Sequence, residues 1–167
     1  MKSVLFLCTG NYYRSRFAEE LFNHHARRTR LSWNADSRAL AIERGSGNVG
    51  PISEHAAKGL GQLGVQIAEP SRMPRQCLPA DLSAASLIVA LEEKEHRPLL
   101  IERFPGWEDV IRYWHIRDVE FESPVISLGR LAALVDELVR ELSGADPVGL
   151  KSGAGRAQRP AESEFDA

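Results

Sequence analysis

Cys8 closes an apolar run, and Arg14 and Ser15 follow it across the loop Thr9-Gly10-Asn11-Tyr12-Tyr13. An ionised cysteine is a nucleophile, and an arginine at the mouth of a helix is a planar fork for two oxygens of one phosphate. If the loop curls around an anion, the N–H groups from Thr9 to Ser15 can converge on its oxygens. The helix that follows adds its positive end. The same groups favour a thiolate at Cys8. One set of donors thus activates the nucleophile, binds the phosphate and stabilises the transition state. Within that cradle Gly10 supplies a backbone conformation that a side chain resists. Asn11 braces the loop, and Ser15 donates to the sulfur, easing its departure from a phosphocysteine. The expected phosphate-binding set is Thr9, Gly10, Asn11, Tyr12, Tyr13 and Arg14, with Cys8, Arg14 and Ser15 in the chemistry.

Such a loop needs a buried strand before it and a helix after it. Val4–Leu7 is a continuous apolar run, the pattern of a strand covered on both faces of a parallel sheet. From Ser15 the period changes, and Phe17, Ala18, Leu21, Phe22 and His25 share one helical face. Leu31–Ala35 reads as a second strand and residues 43–51 as a loop. A helix capped by Ser53 runs to Gly64. Ser86–Leu91 is another buried strand, and Glu92–Arg103 a helix that Pro98 must kink or start. Val110–Ile116 is a fourth strand. Ser127–Leu142 carries the clearest stripe, Leu128, Leu131, Leu134, Val135, Leu138, Val139 and Leu142. Strands alternating with helices give an α/β sheet with helices on both faces, whose ligands sit at the carboxyl ends of the strands. Cys8 lies at such an end.

The 167 residues, 43% hydrophobic, suit one domain of ordinary core size. We assign it to residues 1–143 and read 144–167, rich in Gly, Ala, Pro and charge, as a poorly ordered tail. A net charge of −2 favours neither nucleic acid nor membrane surfaces as partners. No apolar run spans a bilayer and no signal peptide is evident, so the expected location is cytoplasmic. The two cysteines, Cys8 and Cys77, make no disulfide framework, and no spacing suggests a metal site. No cofactor is expected, and the oligomeric state is not encoded in any pattern.

Cys8, Gly10, Asn11, Arg14 and Ser15, between a strand and a helix at the N-terminus, resemble the signature of the low-molecular-weight protein tyrosine phosphatases. Ser86–Leu91, the following Glu-His-Arg and Phe104-Pro105 resemble that family's central strand and helix. The resemblance covers about the first 143 residues, and only the cysteine loop is highly specific. It implies a four-stranded parallel sheet flanked by helices. It also implies a two-step reaction, thiolate attack on phosphorus and then hydrolysis of the phosphocysteine, with an aspartic acid that first protonates the leaving group and then serves as base. By similarity of Tyr113–Phe121 to the family's Asp-Pro loop, that residue is Asp118, with Glu120 and Glu122 in reserve. Val119 replaces the proline. Tyr12 and Tyr13 replace a small aliphatic residue and a second cysteine, and are placed at the rim, where they either meet an aromatic substrate or pack. Phosphotyrosine on protein is the default substrate; phosphoarginine and small phosphate esters stay open.

Three other functions use a loop of this general kind, and Arg14 argues against the second of them. An arsenate reductase needs a further thiol to accept the intermediate. A phosphocysteine carrier of a sugar phosphotransferase system lacks the arginine. A silent phosphate-binding module lacks the acid. Elsewhere we expect packing or solvated roles: Glu92–Glu95 as a solvated helix start, Arg72 and Arg75 on a surface loop, and Trp33, Trp107 and Trp114 in packing; His115, near Asp118 in sequence, is given no role.

Overall fold

The computed structural model describes residues 1–144; the expected tail beyond them lies outside the described residues. The elements in chain order are β1 (Lys2–Cys8), α1 (Arg14–Thr29), β2 (Trp33–Ala39), a 3-10 turn (Ile42–Gly45), α2 (Glu54–Gln62), α3 (Pro79–Ala84), β3 (Leu87–Ala90), α4 (Glu93–Arg103), β4 (Arg112–Tyr113) and α5 (Pro124–Leu142). The strands form one parallel sheet in the order β2-β1-β3-β4. The central strand β1 alternates its side chains between two cores. Val4 and Phe6 join α1, α2 and α5 on one face through Phe17, Leu21, Leu60, Leu131 and Val135. Leu5 and Leu7 join α3 and α4 on the other through Leu82, Leu99 and Leu100. Burying such side chains stabilises by about 1.5–3 kcal/mol each, which fixes the end of β1, and with it Cys8, at the sheet's carboxyl edge.

Several boundaries differ from those read in the sequence. The second strand runs over Trp33–Ala39, not Leu31–Ala35. It is an edge strand with Asn34, Asp36 and Arg38 on one face and the small residues Ala35, Ser37 and Ala39 on the buried one, so an apolar-run criterion misses it. The fourth strand shrinks to Arg112–Tyr113, although Trp114 and Ile116 still donate to Ala90 and Leu91 carbonyls at 2.8 Å each. Pro98 lies inside α4 and does not end it. α5 starts earlier, with Pro124 in its first turn, where a missing N–H costs nothing. α3 was not foreseen; its short run Pro79–Ala84 gives little periodicity to read. Among the described residues no helix is long and apolar enough to cross a membrane.

Candidate active site

The loop between β1 and α1 is tied from outside through its carbonyls. Those of Cys8, Thr9 and Tyr12 accept from the amides of Leu40, Ala41 and Ser53, at 2.8, 3.0 and 2.9 Å. The amides of Thr9, Gly10, Asn11, Tyr12 and Tyr13, by contrast, donate to no group among the described residues. α1 opens without a side-chain cap and with no acidic residue in its first turn. Unspent amides at an uncapped helix start are the makings of an anion site. The cleft above holds about 380 Å³, and Cys8, Gly10, Tyr12, Tyr13, Arg14 and Asp118 line it. Cys8 is buried yet belongs to that lining.

Behind the sulfur runs a chain of side chains. Cys8 Sγ and Ser15 Oγ are 2.9 Å apart. Asn11 Nδ2 donates to Ser15 Oγ at 3.0 Å and to Ser37 Oγ at 2.8 Å. Because the amide can only donate, the Ser15 oxygen accepts there and its single proton is left for Cys8. The backbone of Asn11 is left-handed, φ 52°, and its Oδ1 accepts from the Arg75 amide at 3.0 Å. Ser37 in turn donates to Glu19, which also holds Arg72. Burial pushes Glu19 up to about 7, against the Ser37 hydroxyl and the Arg72 guanidinium. Arg72, expected on a plain surface loop, is 7% exposed. Its partner carboxylate lies on α1, far away in the sequence, where no local pattern pairs them.

Arg14 is 2% exposed and its guanidinium is held end-on. Nη1 donates to Glu95 Oε2 at 2.7 Å and to the Ile116 carbonyl at 2.9 Å. Nη2 donates to Glu95 Oε1 at 3.0 Å and to Asp118 Oδ2 at 3.4 Å. Nε has no partner among the described residues. Glu95 also accepts from Thr9 Oγ1 at 2.8 Å, so one carboxylate grips both ends of the loop. Burial alone would raise Glu95, but the Arg14 hydrogen bonds and charge outweigh it and bring the carboxyl down to about 2. Glu95 was expected to be solvated; its neighbours in that run gave no sign of a partner arriving from the cysteine loop. His96 beside it is fully buried, and burial holds it down to about 3, so it is neutral. Its Nδ1 accepts from the Glu92 amide at 3.0 Å, which leaves the proton on Nε2, 3.6 Å from Glu95 Oε2.

One expectation for the loop needs correction, the reason for Gly10. Gly10 does not adopt a left-handed φ; Asn11 does. A Cβ at Gly10 would stand 3.1 Å from Asn48 Nδ2, so the Asn48 side chain would have to give by a few tenths of an ångström. The side chains of Thr9 and Asn11 are engaged with the protein, which leaves their amides for an anion. Tyr13 takes the packing role, joining the core while still lining the cleft. Tyr12 stays at the mouth, where its hydroxyl donates to the Val49 carbonyl at 2.7 Å.

The structure brings Asp118 into the same cleft, on the turn between β4 and α5. Its Oδ1 accepts from the Val119 amide at 2.6 Å, a donor that a proline would remove. Of the two reserves, Glu122 is engaged by Ser127 Oγ at 2.7 Å and by Arg130, and neither it nor Glu120 lines the cleft. His115 is mostly exposed and lies 3.6 Å from Glu92. Among the described residues no group of three or more His, Cys, Asp or Glu could hold a metal ion.

The family model described as low molecular weight phosphotyrosine protein phosphatase matches residues 3–115. A low molecular weight protein tyrosine phosphatase from T. tengcongensis superposes with a TM-score of 0.70 at 24% identity, covering 84% of this chain and 99% of that one. YwlE arginine phosphatase from Geobacillus stearothermophilus gives 0.67 at 22% identity, covering 86% and 94%. Vibrio vulnificus Wzb, in complex with benzylphosphonate, gives 0.66 at 20% identity, covering 86% and 97%. These likenesses carry the fold. No curated protein matches the chain.

Proposed function

The chain belongs to the low molecular weight phosphotyrosine protein phosphatase family and is a phosphatase; from that premise we propose that it hydrolyses phosphate monoesters, protein phosphotyrosine first among them, through a phosphocysteine on Cys8. The observation that carries this reading is the set of five loop amides, unspent among the described residues, above a sulfur 2.9 Å from the Ser15 hydroxyl oxygen. Those amides and the start of α1 take the equatorial oxygens. Arg14 takes two of them with its Nε–Nη2 edge, where Nε has no partner among the described residues and Nη2, besides its bond to Glu95, has the 3.4 Å contact to Asp118.

In the first step the Cys8 thiolate attacks phosphorus, an S–P bond forms and the ester P–O bond breaks. Asp118 gives its proton to the departing oxygen. In the second step water attacks phosphorus, the S–P bond breaks, and Asp118 takes the water's proton. Ser15 meets the returning thiolate with its hydroxyl. No cofactor enters. Cys77, the chain's other thiol, is buried in the second core and absent from the cleft, and burial pushes it up to about 12. An arsenate reductase built on Cys8 would therefore depend on an external thiol.

The test is turnover of p-nitrophenyl phosphate, phosphotyrosine peptide and phosphoarginine peptide by wild type, Cys8→Ser and Asp118→Asn, with arsenate reduction measured beside them. We expect hydrolysis by wild type, none by Cys8→Ser, and a loss on the order of a hundredfold for Asp118→Asn. Inert esters together with thiol-dependent arsenate reduction would overturn the reading. Faster phosphoarginine turnover would replace phosphotyrosine as the substrate.

A further inference from the structure

Tyr13 is 6% exposed and packs in the core beneath the cleft, yet it also lines the cleft beside Cys8, Arg14 and Asp118. Its hydroxyl is buried and has no hydrogen-bond partner among the described residues. A buried phenol with nothing to bond costs stability, and a phenylalanine would fill the same space without that cost. The groups around it are few. Asp118 acts on it most strongly among the charges, followed by Arg14 and Glu122. The His55 ring on α2 meets the Tyr13 ring edge-on, 6.4 Å between centroids. Burial first, and Asp118 next, push the phenol up to about 12, so it keeps its proton and acts as a donor near neutral pH.

Two carboxylates could receive that donor. Glu122 is already engaged by Ser127 and Arg130. Asp118 Oδ2 has only the long contact to Arg14 Nη2, on the edge that a phosphate would occupy. We propose that Tyr13 is a positioning residue for Asp118: as Arg14 turns its Nε–Nη2 edge to the phosphate, the Tyr13 hydroxyl donates to Oδ2 and keeps the carboxyl aimed at the leaving oxygen. The proposal rests on Asp118 carrying the proton, as set out above. Tyr13 itself gives up no proton; it holds one carboxyl oxygen while the other exchanges protons with the leaving group and then with water.

The experiment compares wild type, Tyr13→Phe, Asp118→Asn and the double variant on phenyl phosphate and p-nitrophenyl phosphate, with thermal unfolding of each. Phenol leaves less readily than p-nitrophenol and needs the acid more. Tyr13→Phe should lower kcat on phenyl phosphate roughly tenfold, the worth of one good hydrogen bond, and lower it less on p-nitrophenyl phosphate. Its unfolding temperature should be unchanged or higher. In the Asp118→Asn background the same change should cost nothing further. Unchanged kcat in Tyr13→Phe, or an equal loss with and without Asp118, overturns the proposal while leaving the acid in place. Full activity in Asp118→Asn overturns the acid itself, and the proposal with it.

Discussion

Arg14 and Glu95 meet end-on through two hydrogen bonds of 2.7 and 3.0 Å, and the same carboxylate accepts from Thr9 at the far end of the loop. The guanidinium is almost wholly buried, so without Glu95 its charge would be poorly compensated. The pair thus sets the plane of the fork before any phosphate arrives, and pre-set geometry is worth orders of magnitude in rate. Glu95→Gln keeps the shape and loses the charge. Its kcat/KM on p-nitrophenyl phosphate should fall by roughly ten- to a hundredfold, and steady-state kinetics would show it.

The same pair makes stability depend on acid. Glu95 sits at about 2 in the fold against an ordinary 4.5. Between those values the unfolded chain binds the extra proton, so stability rises with pH there. The contribution is complete above about 4.5 and is lost as pH falls toward 2. Urea unfolding of wild type and Glu95→Gln should therefore differ at pH 6, converge on acidification, and differ little near pH 2. A gap independent of pH would show that the charge is not what stabilises.

Much of this site was legible because the cysteine loop is local. Cys8, Arg14 and Ser15 lie on one strand–loop–helix unit, and their spacing alone places them together. Glu95 and Arg72 were hidden because each acts through a partner from another part of the chain, Glu95 reaching Arg14 and Arg72 reaching Glu19. Ser37 was hidden too, a lone hydroxyl on the buried face of β2 whose partners Asn11 and Glu19 come from another part of the chain. Asp118 was found only through resemblance; a loop aspartate has no periodicity to mark it.

Ser15 Oγ lies 2.9 Å from Cys8 Sγ, and because Asn11 donates to that oxygen the serine proton is free to meet a thiolate. Removing that proton should matter most when the sulfur leaves phosphorus. Ser15→Ala should slow the second step by about tenfold or more and let the phosphocysteine accumulate. Rapid-quench measurement should then show a burst of p-nitrophenol close to one per enzyme, followed by slow turnover. Loss of the burst along with the steady rate would place the serine in the first step instead.

Val119 donates its amide to Asp118 Oδ1 at 2.6 Å, and under the proposed mechanism that donor competes with the leaving group for the oxygen. A proline cannot donate, and it would stiffen the turn. Val119→Pro should raise kcat on phenyl phosphate several-fold, with little change on p-nitrophenyl phosphate. A fall on both substrates would show that the amide orients the acid rather than restrains it.

Arg72 and Glu19 form a buried pair behind the loop, tied through Ser37 to Asn11. Arg16, wholly buried, donates to the Arg72 carbonyl at 3.0 Å and so fixes the strap that carries it. Removing Arg72 leaves Glu19, among the described cations, with only the longer contact to Arg16, 3.7 Å from Nε to Oε2, and breaking a buried pair costs up to about 3–5 kcal/mol. Arg72→Met should therefore destabilise strongly. It should also lower activity, because Glu19, freed of Arg72, no longer holds Ser37 in register with Asn11. Glu19→Gln in the same chain removes the stranded charge, so the double variant should recover part of the stability. It should recover less of the activity, since the Ser37 contact is weakened in both. Chemical denaturation of the four members of this cycle, read beside kcat, separates the two effects. Simple additivity in stability would mean that the ions do not act on each other.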